Sequence, residues 1–415
     1  MIILAYLDPG SGSALVGAVI AVAGAVLYSL KSFFYRFVRK QTSEQELKRG
    51  DECATVAIFS EGKNYWGTFR EIVEELIDRK IHFTYYTIDL HDPALLIDNP
   101  YMHSWLFDKE KVASFHKLGN IKAKVLLATT PNIGTPGYPL MRPSGVKKMV
   151  HVFHAFADIS AYHIGSLDNY DVVFTVGSHQ DKPIREVEKA RALTSKQLIP
   201  MGLPYFDYLY HILETSHCNK NNTSYSKSKK TILIGSSWGA KGLLKEYGTG
   251  FICELAKSGF DVIVRPHPQS YIAEPDFIEQ CMKATSGYEN IGWDSEANGT
   301  PSMEVSDILI SDTSSLRFDY AFLYEKPVIT LNIPHEKQLE YEGQYMSEIW
   351  TDVAAEKLGQ VVEHERISNI VQIVSDVLQN GGGGVVRSFR DETITNLGCS
   401  AKAIVEKLLN LASYI

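Results

Sequence analysis

The chain is poor in cysteine, with five residues (Cys53, Cys218, Cys253, Cys281 and Cys399) scattered without C-x-x-C spacing. That excludes a zinc ribbon and a disulfide framework and reads as reduced thiols. A basic excess is also lacking, since 41 Lys and Arg stand against 49 Asp and Glu, for a net charge of -8. Without a strongly basic domain to release counterions from a polyanion, no nucleic-acid partner is expected. H-E-x-x-H, a nucleophile elbow, a Walker A loop, a kinase signature and any carboxylate cluster at metal-ligand spacing are missing as well. No metal site and no tightly bound cofactor are therefore expected, and the residues set no expectation for a free divalent cation.

What is present first is one uncharged apolar run, Ala14 to Leu30, followed by Lys31, Arg36, Arg39 and Lys40. As a helix it would span about 25 Å, near the lower limit for a bilayer core. A signal peptide would carry its positive charges before the run, and here they follow it. The segment 1–40 is thus expected to be a single-pass transmembrane anchor in the inner (cytoplasmic) membrane, with the rest of the chain in the cytoplasm. A buried or interfacial helix is the alternative.

The remaining sequence, 45% hydrophobic and 22% charged over the whole chain, is rich enough in apolar residues for two large domains. Strand-like runs at Ala54–Ser60, 82–88, 125–129, 148–153 and 172–176, with a helical pattern at Tyr65–Arg79, predict an α/β domain over 41–214. A polar stretch at 215–230 reads as a linker. A second αβ alternation follows over 231–415, with strands at 231–235, 261–264, 308–310 and 327–331, and helices at 250–257, 315–323 and 400–411. Two Rossmann-type domains facing a ligand cleft is the economical architecture, because open α/β sheets bind ligands beyond the carboxyl ends of their strands.

Four clusters emerge where strands end. His154 closes Val150-His-Val-Phe-His, and is open to two readings, a hydrogen-bonded structural histidine or a general base. Arg265 and His267 in Arg-Pro-His-Pro are expected in a rigid loop beyond the strand, where their donors suit a pyrophosphate. Ser311-Asp312-Thr313-Ser314-Ser315 runs from a strand into a helix, as an ordinary N-cap or as a phosphate site on the helix dipole. Gly235, Ser236 and Ser237 begin a small-residue loop that permits close backbone approach to a ligand, or forms a plain βα turn.

The order of His154, Arg265-Pro-His267-Pro268, Ser311 to Ser315, Phe318-Asp-Tyr-Ala321 and Lys326-Pro-Val-Ile329 resembles the CDP-glycerol glycerophosphotransferases of the teichoic-acid polymerase and primase group, from about Val150 to Leu331. The resemblance implies a GT-B fold, with an acceptor-side domain at 41–214 and a nucleotide-donor domain at 231–415. It also implies transfer of glycerol phosphate, or a related polyol phosphate, from a CDP-linked donor to a hydroxyl of a membrane-associated glycan or lipid-linked acceptor, with CMP released. His154 then activates the acceptor and His267 stabilises the phosphates. Arg265, Gly235, Ser236, Ser237 and residues Ser311, Asp312, Thr313, Ser314 and Ser315 fall in the donor and phosphate site. One departure stands out: the family usually follows its first histidine with glycine and then a lysine, whereas this chain reads His154-Ala-Phe-Ala-Asp158. A nucleotide-sugar glycosyltransferase and an inactive membrane scaffold or sensor of the same fold are the alternatives.

Overall fold

The computed structural model describes residues 54–107, 118–156, 158–219, 229–296, 299–333, 340–380 and 383–414. The expected membrane anchor and the middle of the expected linker lie outside the described residues.

Seven strands form the first sheet: β1 (Ala54–Ser60), β2 (Phe83–Thr87), β3 (Met102–Leu106), β4 (Lys122–Ala128), β5 (Gly145–Val152), β6 (Val172–Thr175) and β7 (Gln197–Pro200). Their order is β3-β2-β1-β4-β5-β6-β7, and every pairing is parallel. Parallel strands need crossovers, so both faces are covered, and the interior strands β1, β4 and β6 carry continuous buried runs such as Val125–Ala128 and Val172–Thr175. Alternate residues face opposite ways: Val56 and Ile58 pack with Phe69, Ile72 and Val73 of the helix Trp66–Asp78 on one face. Ala57 and Phe59 enter a core on the other.

The second sheet repeats the plan with six parallel strands, β8 (Thr231–Ser236), β9 (Asp261–Pro266), β10 (Ile291–Trp293), β11 (Ile308–Ser311), β12 (Val328–Leu331) and β13 (Gly359–Val362), in the order β10-β9-β8-β11-β12-β13. In each sheet the strand order reverses once, between β1 and β4 and between β8 and β11. Such switch points open a crevice at the carboxyl ends of the strands, where ligands of doubly wound folds bind.

Two boundaries differ from the sequence reading. The helix Pro204–Asn219 runs into the start of the expected linker. The last helix, Ser400–Ser413, packs Ile404, Val405 and Leu408 against the first sheet and not the second. Its apolar stripe is equally suited to either sheet, and local chemistry selects the first. The buried Asp207 accepts from the backbone N–H groups of Gly398 at 2.9 Å and Ser400 at 2.6 Å, which would otherwise be orphans at the helix start.

Candidate active site

The switch point of the second sheet is built around one carboxylate. Asp312, fully buried just beyond β11, accepts from Ser237 N at 2.9 Å, Ser237 Oγ at 2.8 Å, Leu243 N at 2.8 Å and Ser314 N at 3.0 Å. One side chain thereby clamps the loop after β8 to the turn after β11. Beyond the clamp, Thr313, Ser314 and Ser315 are partly exposed and lead into the helix Leu316–Tyr324. Ser314 Oγ accepts from Leu316 N at 3.3 Å, while among the described residues no hydrogen bond engages the Thr313 or Ser315 hydroxyl. Hydroxyls and a helix N-terminus converging on one crevice are suited to a phosphate.

His267 follows β9, its backbone N–H donating to Ser236 O at 3.0 Å, within electrostatic reach of Asp312. It is exposed and caps the short helix Pro268–Ala273, its Nδ1 accepting from Gln269 N at 3.1 Å. An acceptor nitrogen carries no proton, so the neutral ring holds its hydrogen on Nε2. Cap geometry thus makes His267 a fixed Nε2–H donor, suited to stabilising charge and not to removing a proton. Burial, reinforced by Arg265 and opposed by Asp312, lowers its pKa from the ordinary histidine value.

His154 emerges two residues after β5. Its Nδ1 lies 2.9 Å from Thr129 Oγ1, the residue after β4, and its ring meets Tyr65 edge-on at 5.1 Å. In the tautomer whose Nδ1–H donates to Thr129 Oγ1, Nε2 is the basic nitrogen. Burial lowers its pKa to about 4, while the residue as a whole remains partly exposed. At neutral pH the imidazole is uncharged, as a general base must be.

The loop carrying His154 is tied directly to the second sheet. Phe156 stacks on Phe318 at 5.3 Å and meets Phe322 edge-on at 5.2 Å, both on the helix that begins at the Thr-Ser-Ser turn. Phe206 and Trp350 complete the cluster. The residue two places after His154 is thus packed against the one three places after Ser315, and that contact fixes the loop relative to the turn.

The family model described as CDP-glycerol:poly(glycerophosphate) glycerophosphotransferase matches residues 149–381, more than half of the chain. The chain belongs to this family. It is accordingly a glycerophosphotransferase-type transferase, and all eleven candidate residues, from His154 to Ser315, lie inside the matched span. Among solved structures, the wall teichoic acid polymerase TagF, in a variant soaked with CDPG, superposes with a TM-score of 0.56 at 16% identity, covering 94% of this chain and 97% of that one. UDP-GlcNAc 2-epimerases share the fold too. The Methanocaldococcus jannaschii enzyme matches at TM-score 0.57 and 11% identity over 86% of this chain and 99% of its own, and the Neisseria meningitidis enzyme at 0.52 and 16% over 86% and 99%. These likenesses establish a GT-B-like α/β fold. No curated protein matches the chain at the sequence level.

Several residues expected to touch the donor turn out to support this glycerophosphotransferase site from behind. Arg265 is not in a loop: β9 continues through Pro266, with Arg265 in register with Gly235. A proline can end a strand, so the strand runs one step further than its apolar residues. The Arg265 guanidinium is buried and paired with Asp294 at 2.6 Å. Ser311 is buried and donates to Gly235 O at 2.6 Å, and Ser236 donates to Ser237 O at 2.8 Å. Gly235 is needed for packing, because a Cβ there would lie 2.6 Å from Leu316 Cδ2. Asp312 is fully buried, and both its oxygens accept from the loop after β8 or the turn after β11. Asp158 does not orient His154; it accepts from Ser160 N at 2.8 Å and Thr351 N at 3.2 Å, joining the two halves. Sequence reasoning missed Thr129 and Tyr65, although a threonine directly after a buried strand obeys the rule that singled out His154.

Proposed function

We propose that the protein transfers glycerol phosphate, or a related polyol phosphate, from a CDP-linked donor to a hydroxyl of a membrane-associated glycan or lipid-linked acceptor, releasing CMP. The observation that carries the reading is the Asp312 clamp, which holds the turn of Thr313, Ser314 and Ser315 at the switch point of the second sheet, with His267 at the end of the nearby β9 within electrostatic reach of Asp312. A pyrophosphate needs donors of this kind already in place. The apolar segment 14–30 with its trailing basic residues supports work at the cytoplasmic face of the membrane.

In this reaction the acceptor hydroxyl gives its proton to His154 Nε2 as its oxygen attacks the phosphorus that carries glycerol. The bond from that phosphorus to the bridging pyrophosphate oxygen breaks. CMP leaves with the electron pair, and His267 with the hydroxyls of the Thr-Ser-Ser turn stabilises the charge that develops on the phosphates. Most of the acceleration comes from positioning and electrostatics, as phosphoryl chemistry requires.

The direct test is incubation of the purified protein with CDP-glycerol and a short synthetic oligo(glycerol phosphate). CMP release that depends on both is expected; no release, together with no binding of CDP-linked ligands, contradicts the proposal. A product formed from a nucleotide sugar and lacking new phosphorus would instead identify glycosyl transfer on the same fold.

The pH profile follows from His154. A free histidine titrates near 6.5 and would be largely protonated at pH 5. Burial holds His154 near 4, so it stays neutral as the pH falls from 7 and becomes protonated only near its own pKa. The acid limb of kcat/KM is therefore expected well below 6.5, and a limb at 6.5 or above would show that the base is another group.

A further inference from the structure

The switch point of the first sheet holds polar groups that the phosphate chemistry leaves unused. β1 ends at Ser60 and Glu61 follows it; β4 ends at Ala128 and Thr129 and Thr130 follow; β5 ends two residues before His154. Parallel register sets Phe59 beside Ala128 and Ala128 beside His151, so the three strand ends emerge side by side. Four residues after Glu61, the ring of Tyr65 lies edge-on against His154. Glu61 and His154 therefore flank one crevice, at the place where a doubly wound sheet binds its ligand.

Glu61 is partly buried and, among the described residues, forms no ion pair. The Thr130 hydroxyl lies near enough to favour its charged form without reaching good hydrogen-bond geometry, and burial outweighs that help and raises the carboxyl pKa. Burial first, and the charge of Glu61 second, raise the phenols of Tyr65 and Tyr138. The contrast with the carboxylates that build the fold is sharp: Asp312 and Asp207 are saturated by backbone and hydroxyl donors. A carboxylate drawn out of water without donors costs stability, and a substrate that supplies them offsets the loss.

We infer that Glu61, flanked by Tyr65, binds neighbouring hydroxyls of a polyol or sugar unit of the acceptor and holds the attacking hydroxyl beside His154. This rests on the transfer reaction proposed above and assigns the acceptor, not the donor, to the switch point of the first sheet. A carboxylate accepts from two adjacent hydroxyls at once, which suits the ends of glycerol and sugar units.

The test compares wild type, Glu61→Gln and Glu61→Asp in steady-state kinetics with CDP-glycerol and a short synthetic oligo(glycerol phosphate). Glu61→Gln is expected to raise the acceptor KM by about tenfold or more, the worth of hydrogen bonds to a charged group. The CDP-glycerol KM should stay within about twofold of wild type, and Glu61→Asp should fall between the two. The melting temperature of Glu61→Gln should be unchanged or higher, since an unpartnered carboxylate is lost. An unchanged acceptor KM in an active enzyme, or a fall in melting temperature with both KM values unaltered, overturns the inference and leaves the transfer reaction standing. A wild type that releases no CMP from CDP-glycerol overturns both.

Discussion

His154→Ala is expected to reduce acceptor-dependent CMP release by about 10^2- to 10^4-fold, the usual contribution of a positioned general base. CDP-glycerol should still bind, because the donor site is built on the other sheet around Asp312 and His267. Stability should change little: the ring makes one side-chain hydrogen bond, to Thr129, and one edge contact with Tyr65, and the residue is partly exposed. Steady-state kinetics with a thermal melt on the same preparation separates the two roles. If turnover and folding are lost together, His154 is a structural histidine. The neighbouring His151 is the internal control, since it is wholly buried among Phe153, Tyr162 and Tyr170, and among the described residues neither ring nitrogen has a hydrogen-bond partner.

Asp312→Ala should damage both fold and donor binding. The substitution strands four buried or half-buried donors, Ser237 N, Ser237 Oγ, Leu243 N and Ser314 N. Losing the buried acceptor of such a network costs about 3–5 kcal/mol. Without the clamp, the loop after β8 and the Thr-Ser-Ser turn no longer hold a common geometry, so CDP-glycerol affinity should fall by more than about tenfold. Asp312→Asn keeps the shape and puts an NH2 group among donors, so it should be nearly as harmful. Urea denaturation and titration with CDP-glycerol read the two effects. A folded Asp312→Asn protein that binds CDP-glycerol like wild type would show that the clamp does not organise the donor site.

Which strands the sequence reveals has a physical pattern. All nine interior strands are legible in the sequence, most of them as apolar runs, because a strand covered on both faces of a parallel sheet buries successive positions; β2, with its alternating Phe83, Tyr85 and Thr87, is legible by its β-forming residues instead. The four that escape notice, β3, β7, β10 and β13, are the edges of the two sheets. They are short and partly exposed, as in Gln197–Pro200, where no residue is fully buried. The C-terminal helix is legible, but the sheet it packs on is not. An apolar stripe says that a helix packs but not on which sheet, and the selection rests on Asp207, 193 residues away from Ser400.

The candidate site divides along similar lines. Strand ends are visible in a sequence, so His154, His267 and the Thr-Ser-Ser turn could be singled out. Whether a polar residue at such an end faces a ligand or props up its neighbours depends on what has been folded against it. Arg265 and Ser311 face inward because β9 and β11 lie beside β8, and Asp312 is consumed by a loop that begins 75 residues earlier at Ser237. Conversely, Glu61 follows the first strand of the chain, outside the span matched by the family model. It gains meaning only when β1 is seen to lie next to β4.

The central claim is that glycerol phosphate moves intact from a CDP-linked donor to an acceptor hydroxyl. The most direct measurement is the mass of a synthetic oligo(glycerol phosphate) acceptor after incubation with purified protein and CDP-glycerol. The account predicts a gain of one or more whole glycerol phosphate units, matched by an equal amount of CMP and lost in His154→Ala. An acceptor of unchanged mass, or one that gains a sugar from a nucleotide sugar without added phosphorus, would contradict it.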